Sequence, residues 1–435
     1  MPDYSNYIDQ AMTGSQRREI GFLCHPYHRG GVTRWMVDAA IACADQGARV
    51  YFVAPEPEKE FVASGGRPTV ASLLRETRCS GDLHLRCPKV DWKFELGTVA
   101  FRAAFYSEAL RLSVPENVPV VLSDDSAAWA GAASVCHRNP MIGVLHADST
   151  IYYRLAHEYV DMLAAAVCVS TRIANCLREQ LAKPPLPIVR IPCGIPLRSW
   201  TPHPRTQPRG RLRLIFVGRI EERQKRVSDL VRIVTLLREK REDILLDVLG
   251  DGEDRAAMEV AVRDAGLSNC VLFHGWLSTE AVAERLGAAD VLILPSNFEG
   301  MPIAVMEALA AGCSVVASRV SGLEDYESDV DGREVLRLFS IADCNAAVEQ
   351  ILGIADSPFE FRCGHARSLA DREFSIERCA KRYLSLCASL AETARVDAGI
   401  AKQNGQIPIV QHIASIVLAA LRYGAVKVRK SSAAL

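Results

Sequence analysis

The chain has 435 residues, 49% of them hydrophobic and 24% charged, which are ordinary fractions for a globular protein. That length holds two or three domains, and a formal net charge of −1 gives no global electrostatic case for nucleic acid. The 14 cysteines are scattered singly with no C-x-x-C pair, so zinc and dithiol chemistry have no motif; the thiols read as reduced, which favours a cytoplasmic setting.

The first 18 residues are polar and lack an apolar core, so a secretory signal is not expected. Ile20 to Cys24 then reads as a strand, Val32 to Asp45 as a helix and Arg49 to Ala54 as the next strand. Between the first strand and its helix lies His28-Arg29-Gly30-Gly31-Val32. Paired glycines there let a ligand approach the backbone, and a helix N-terminus offers amides to an anion; a bare tight turn explains the same residues. Residues 57 to 115 contain helical pieces whose strands cannot be ordered. Strands follow at Val118 to Ser123, Met141 to Leu145, Ala166 to Ser170 and Ile188 to Ile191. His146 and Asp148 come directly after one of these strands, where a side chain faces the ligand side of a parallel sheet. His146 could bond a sugar or phosphate, act in proton transfer, or serve structure alone. Asp124 and Asp125 could polarise an acceptor hydroxyl or cap a helix.

Residues 196 to 210 are rich in proline and arginine and read as a linker. A second alternating series begins at once, with strands at Leu212 to Val217, Ile244 to Leu249, Val271 to Phe273, Val291 to Leu294 and Ser314 to Ala317. Helices intervene at Val227 to Lys240, Asp254 to Ala265, Thr279 to Ala288 and Pro302 to Ala311. Short apolar strands alternating with helices predict an α/β chain of two doubly wound, Rossmann-like halves, with the ligand cleft between them. The boundaries expected are 1–196 for the first half, 197–210 for the linker and 211–375 for the second. A helix over 376–395, whose amphipathic pattern runs from Phe374 to Glu392, is expected to cross back to the first half. An extension occupies 396–435. Within it Ile407 to Lys430 is apolar nearly all round and ends in Lys427, Arg429 and Lys430. That segment could lie on an anionic membrane surface or dock on protein. No apolar run reaches the roughly 18 residues of a spanning helix.

The densest chemistry is in the second half. Gly218-Arg219 ends its first strand and Lys225 follows; two cations there can neutralise a diphosphate, although surface charge is the plain alternative. Gly250-Asp251-Gly252 reads as turn architecture. Glu299 and Glu307 stand about two helical turns apart in Glu299-Gly300-Met301-Pro302-Ile303-Ala304-Val305-Met306-Glu307. A helix dipole accounts for a glutamate near the N-terminus. It does not account for Glu307, which precedes the apolar run Ala308 to Ala311 and needs a partner such as ribose hydroxyls.

Together, Gly30-Gly31, His146, Gly218-Arg219, Lys225, Gly250-Asp251-Gly252, His274-Gly275 and the run from Pro295-Ser296 through Glu307-Ala308, with Gly312 and Gly322 beyond, resemble a retaining glycosyltransferase of the GT-B fold, family 4. The resemblance is strong from 212 to 322 and looser over the rest of 18 to 392. It implies a UDP- or GDP-sugar as donor, held mainly by the second half, and no metal or other cofactor. Arg219 and Lys225 would contact the diphosphate, Glu299 the transferred sugar and Glu307 the ribose. Gly31, Gly218, Gly300, Met301 and Pro302 would let the backbone meet the donor, and His146 would line the sugar site. The implied acceptor is a carbohydrate or a lipid-linked sugar, as in surface polysaccharide or glycolipid synthesis. An inactive scaffold and a nucleotide-sugar epimerase are the alternatives of the same architecture. The sequence departs from the family's pattern at Cys193-Gly194-Ile195-Pro196, where Asn-Gly-Ile/Val-Asp is usual. It also departs at Arg226, where glycine often follows the lysine, and at Leu323-Glu324-Asp325-Tyr326, where a Pro-Glu pattern is usual.

Overall fold

The computed structural model describes residues 18–26, 30–57, 69–77, 79–90, 98–181, 186–202, 210–329, 331, 335–356 and 358–403. In the first half the strands are β1 (Glu19–Leu23), β2 (Arg49–Val53), β3 (Glu56–Pro57), β4 (Asp82–Arg86), β5 (Lys89–Val90), β6 (Val120–Leu122), β7 (Met141–Leu145), β8 (Leu163–Cys168) and β9 (Ile188–Arg190). Seven of them form one parallel sheet in the order β4-β2-β1-β6-β7-β8-β9, and β3 pairs with β5 in a small separate ladder. The second half contains β10 (Leu212–Val217), β11 (Ile244–Leu249), β12 (Val271–Gly275), β13 (Val291–Leu294), β14 (Ser314–Ser318) and β15 (Leu336–Phe339). Its parallel sheet runs β12-β11-β10-β13-β14-β15. Two doubly wound parallel sheets are the architecture expected from the alternation of strand and helix.

Central strands such as β7, β13 and β14 are buried at every position, as helices on both faces of a parallel sheet require. Helix starts are fixed by short polar side chains. Ser170 accepts from the Ile173 amide, and Ser278 from the Ala281 amide. Asp125 accepts from the Ala127 amide and from the Tyr106 hydroxyl, so of the two readings offered for it, it caps a helix.

Between 57 and 115 the structure supplies β4, β5 and helices at Val70–Glu76 and Val99–Ser113. β4 is an edge strand, half-exposed along its length, so it lacks the continuous apolar run that marks its neighbours. β15 also went unread. In the linker Leu197–Ser199 makes a single 3₁₀ turn whose Leu197 and nearby Trp200 are buried. The last described helix runs Ile376–Gln403, longer than its amphipathic stretch, and packs against the helix Gly31–Asp45. Ile195 and the Phe374–Ile376 segment exchange backbone hydrogen bonds of 2.8 and 3.0 Å. A Cβ on Gly194 would come within 2.7 Å of Ile376 Cα, so glycine permits this approach. The altered Cys193–Pro196 segment therefore still makes the contact between the halves. Among the described residues no helix is long and apolar enough to cross a membrane; Ile407 to Lys430 lies outside them.

Strand order reverses beside β1 in one sheet and beside β10 in the other. Crevices outside the carboxyl ends of strands at such switch points are where open α/β sheets hold ligands.

Candidate active site

The loops after β10 and β13 meet at the second switch point. Lys225 ends the one-turn helix Glu222–Lys225, and its Nζ donates to Glu299 Oε1 at 2.6 Å. Ser296 Oγ donates to the same oxygen at 2.7 Å. Among the described residues Glu299 Oε2 has only a long 3.4 Å contact from Gln224 Nε2. Both ion-pair side chains are nearly enclosed, 12% exposed for Lys225 and 8% for Glu299. The two loops are also tied by the Asn297 amide, which donates to Gln224 O at 2.7 Å.

Arg226 turns the chain from this one-turn helix into the helix Val227–Lys240 with φ 48° and ψ 54°. A side chain in that left-handed region costs roughly 1–2 kcal/mol, which is the physical reason a glycine suits this position. Here arginine is held by its own contacts: Nε donates to Asp229 at 2.6 Å and Nη1 to Asn297 Oδ1 at 3.1 Å. Arg219 stays outside the enclosed pair. It is 58% exposed and donates to Gln224 Oε1 at 2.8 Å. Gly250, at φ 128°, backs this corner, since a Cβ there would fall 1.9 Å from the Gly218 carbonyl oxygen. That is the turn role read for the Gly250-Asp251-Gly252 stretch.

Across the cleft, His146 follows β7 and is buried. Desolvation pushes its imidazole down to about 3, so it is neutral at physiological pH. Its ring meets Trp35 edge-on at 4.9 Å, and Cys193 Sγ lies 3.9 Å from Nδ1. The halves join here by backbone. Ala147 and Gly300 form an antiparallel bridge, and the Asp148 amide donates to Glu299 O at 3.1 Å. A Cβ on Gly300 would sit 1.9 Å from His146 O. His146 and Glu299 are thus carried on one seam. Met301 and Pro302 are buried beyond it, with Pro302 preceding the helix Ile303–Ala310. Gly31 begins the helix Gly31–Asp45 against Ile303, whose Cγ1 would be 2.8 Å from an added Cβ. His28 and Arg29, of the loop singled out before it, lie outside the described residues.

Glu307 does not share these surroundings. It is half-buried, and its side chain lines a cavity of about 40 Å³ with Arg34, Asp38, Thr279, Ile303 and Trp200. Burial pushes its carboxyl up to about 7, countered in part by Arg34 and reinforced by Asp38. Arg34 Nε is itself engaged by Asp38 at 3.0 and 3.1 Å. The cavity admits one or two waters and no ribose, so a nucleoside at Glu307 requires the cleft to open or Arg34 to swing away.

Several contributors were not foreseen. Gln224, Cys193 and Trp35 were given no role, because their partners lie on other elements, and Ser296, quoted only as part of the family motif, meets Glu299 three residues on. The altered Leu323–Tyr326 segment forms a second seam. Arg172 pairs with Glu324, and Asp325 accepts from Arg190 Nε at 3.0 Å and from the Thr171 amide at 2.9 Å. Ser170 and Ser321 hydroxyls meet at 2.7 Å. Among the described residues no group of three or more His, Cys, Asp or Glu side chains is arranged to hold a metal ion.

Residues 29–199 match the family model described as Glycosyltransferase Family 4, and residues 203–358 match the model described as Glycosyl transferases group 1. The chain is 29% identical over 231 residues to the MMP alpha-(1->4)-mannosyltransferase of Mycolicibacterium hassiacum, covering 53% of the chain and 54% of that relative. It thus spans about half of that relative's length. It is 24% identical over 373 residues to a phosphatidyl-myo-inositol mannosyltransferase of Mycolicibacterium smegmatis, covering 81% and 88% respectively. Among solved structures, sucrose-phosphate synthase from Thermosynechococcus elongatus superposes with a TM-score of 0.68 at 17% identity, covering 87% of this chain and all of that one. An Anabaena protein in complex with UDP and glucose gives 0.66 at 15%, covering 86% and 100%. At these identities the structural likeness speaks for the fold alone.

Proposed function

The chain belongs to the GT-B glycosyltransferases of family 4, and from that membership we propose that it moves a sugar from a UDP- or GDP-sugar to an acceptor hydroxyl with retention at the anomeric carbon. The observation that carries this reading is the enclosed Lys225–Glu299–Ser296 cluster at a switch point, joined by backbone to His146. Lys225 has two calls on its charge, the Glu299 carboxylate now and the donor diphosphate when bound. Arg219, exposed at the same strand end, adds a second cation for the phosphates. Fixed cations stabilise the leaving diphosphate without reorganisation, and this proposal needs no metal. The weakly engaged Glu299 Oε2 is the acceptor available to a sugar hydroxyl. Gly31, Gly218, Gly300, Met301 and Pro302 bring backbone near the donor, and Glu307 holds the ribose once the cleft opens.

In the transfer itself the bond from C1 to the phosphate oxygen breaks, and the acceptor oxygen bonds to C1 on the same face. The leaving nucleoside diphosphate takes the acceptor's proton. A neutral His146 contributes a hydrogen bond, not acid catalysis. The acceptor is a carbohydrate or lipid-linked sugar in polysaccharide or glycolipid synthesis; the similarity to a phosphatidyl-myo-inositol mannosyltransferase lends support to this class. The enzyme works in the cytoplasm, with residues 407–430 as a contact to the membrane face.

The test is a thermal-shift screen of UDP- and GDP-sugars followed by NMR of the products. A donor present at 100 times its Kd raises stability by about 2.7 kcal/mol. The expected result is one nucleotide class that stabilises the protein, is slowly hydrolysed without acceptor, and is not hydrolysed by Glu299→Gln. No stabilisation by either class, or release of a free epimerised sugar, overturns the reading.

A further inference from the structure

His146 is held on several sides. Trp35 meets its ring edge-on, its carbonyl lies against Gly300, and Cys193 Sγ stands 3.9 Å from Nδ1. Its other ring nitrogen, Nε2, is buried and has no hydrogen-bond partner among the described residues. A neutral imidazole has one donor and one acceptor nitrogen, so whichever group engages Nδ1 decides what Nε2 offers.

We propose that Cys193 is a positioning residue: its thiol donates to Nδ1 of His146 and fixes the tautomer that carries its proton on Nε2, so that Nε2–H is offered to a hydroxyl of the transferred sugar. This rests on the transferase reading for the identity of the ligand. The direction of the bond follows from the atoms. An imidazole lone pair is a far better acceptor than a thiol sulfur, and S–H, although weak, is a donor. Burial raises the Cys193 thiol, which keeps that proton on sulfur. A buried donor without a partner is costly, and a polyhydroxylated ring entering the cleft satisfies it. The discrimination this gives is also directional: a site built to bond a hydroxyl rejects an analogue that lacks it.

The test compares Cys193→Ser with Cys193→Ala in the full chain. Both remove the sulfur, and only serine keeps a donor. The tautomer is read by nitrogen-15 NMR of histidine-labelled protein without substrate, with the His146 signals identified by their loss in His146→Gln. The Nε2–H form is expected in the wild type and in Cys193→Ser, and a mixture of tautomers in Cys193→Ala. Donor turnover is expected to fall about tenfold in the alanine variant and to recover in the serine variant. An Nδ1–H form in the wild type, or the same tautomer in the alanine variant, overturns the proposal. Failure of the two readings is distinguishable. The Nε2–H form with no turnover of any donor counts against transfer, whereas full turnover with the Nδ1–H form counts against Cys193 alone.

Discussion

Neutralising one or both members of the Lys225–Glu299 pair tests the proposed site at its centre. The contact is 2.6 Å and both side chains are nearly enclosed. Removing one partner of a buried pair strands the other and costs about 3–5 kcal/mol. Glu299 keeps the Ser296 hydroxyl when Lys225 becomes methionine, so Lys225→Met belongs at the low end, about 3 kcal/mol. Glu299→Gln keeps an amide oxygen that can accept from the ammonium but removes the charge that compensates it, and should cost a comparable amount. The double variant has no stranded charge. Its cost should fall well below the sum, giving a coupling of at least about 2 kcal/mol. The assay is thermal unfolding of the four proteins, following the transition of the second half. For a unit of that size, 3 kcal/mol corresponds to roughly 6–12 °C in Tm. Donor turnover is measured alongside, and all three variants should lose it, including the double variant that regains stability. If the single variants add to within about 0.5 kcal/mol, the pair is not coupled, and the enclosed cluster is not the electrostatic unit described. If the double variant keeps wild-type turnover, the cluster is structural and the assignment of Lys225 and Glu299 to the donor is wrong.

Glu307→Gln carries a pH signature. Its carboxyl is raised from 4.5 to about 7 in the folded chain, so the wild type loses stability as pH climbs through that window, whereas glutamine does not titrate. The stability of the variant relative to wild type should therefore improve between pH 4.5 and 8, with a ceiling of about 3 kcal/mol; a pH-independent difference refutes the burial argument. Gly300→Ala should part the two halves at His146, since the added Cβ would meet its carbonyl at 1.9 Å; small-angle scattering should show a more open chain, and an unchanged profile sinks the seam. Arg226→Gly should relieve left-handed strain but release Asp229 and Asn297, leaving stability within about 1 kcal/mol of wild type; a loss of 3 kcal/mol would show that the side-chain contacts dominate. Deleting residues 407–435 should lower recovery with membranes while donor binding persists, and identical fractionation refutes the membrane contact.

What could be read beforehand divides along a physical line. β7, β13 and β14 are buried at every position, so composition alone announces them. β4 is half-exposed, and its alternating Asp-Leu-His-Leu-Arg resembles a polar loop as much as a strand. The same division holds in the site. Lys225, His146 and Glu299 were legible one at a time, because each sits just past an apolar strand where a parallel sheet opens to ligand. Their relations were not legible. The lysine and glutamate are separated by 74 residues and the histidine and cysteine by 47, and no local pattern encodes a contact between loops that only the two sheets bring together. The departures from the family pattern are the instructive residues. Arg226 occupies a left-handed position and offsets its strain through Asp229 and Asn297. Glu324 and Asp325 pair across the cleft with Arg172 and Arg190. Cys193 reaches the imidazole of His146, whose neighbours Ala147 and Asp148 meet Glu299's loop by backbone. Each makes a side-chain contact to a neighbouring element. A sequence can flag such a position as unusual, but only the packed halves say what the new side chain touches. The two glutamates show the same limit from the other side. Their spacing suggested two grips on one ligand, yet one is held by Lys225 and Ser296 while the other faces Arg34 and Asp38 across a cavity too small for a ribose. For both to hold one nucleotide sugar, the cleft must open at Glu307 or Arg34 must swing away while the Lys225 charge passes from carboxylate to diphosphate, and binding and rearrangement then become one event.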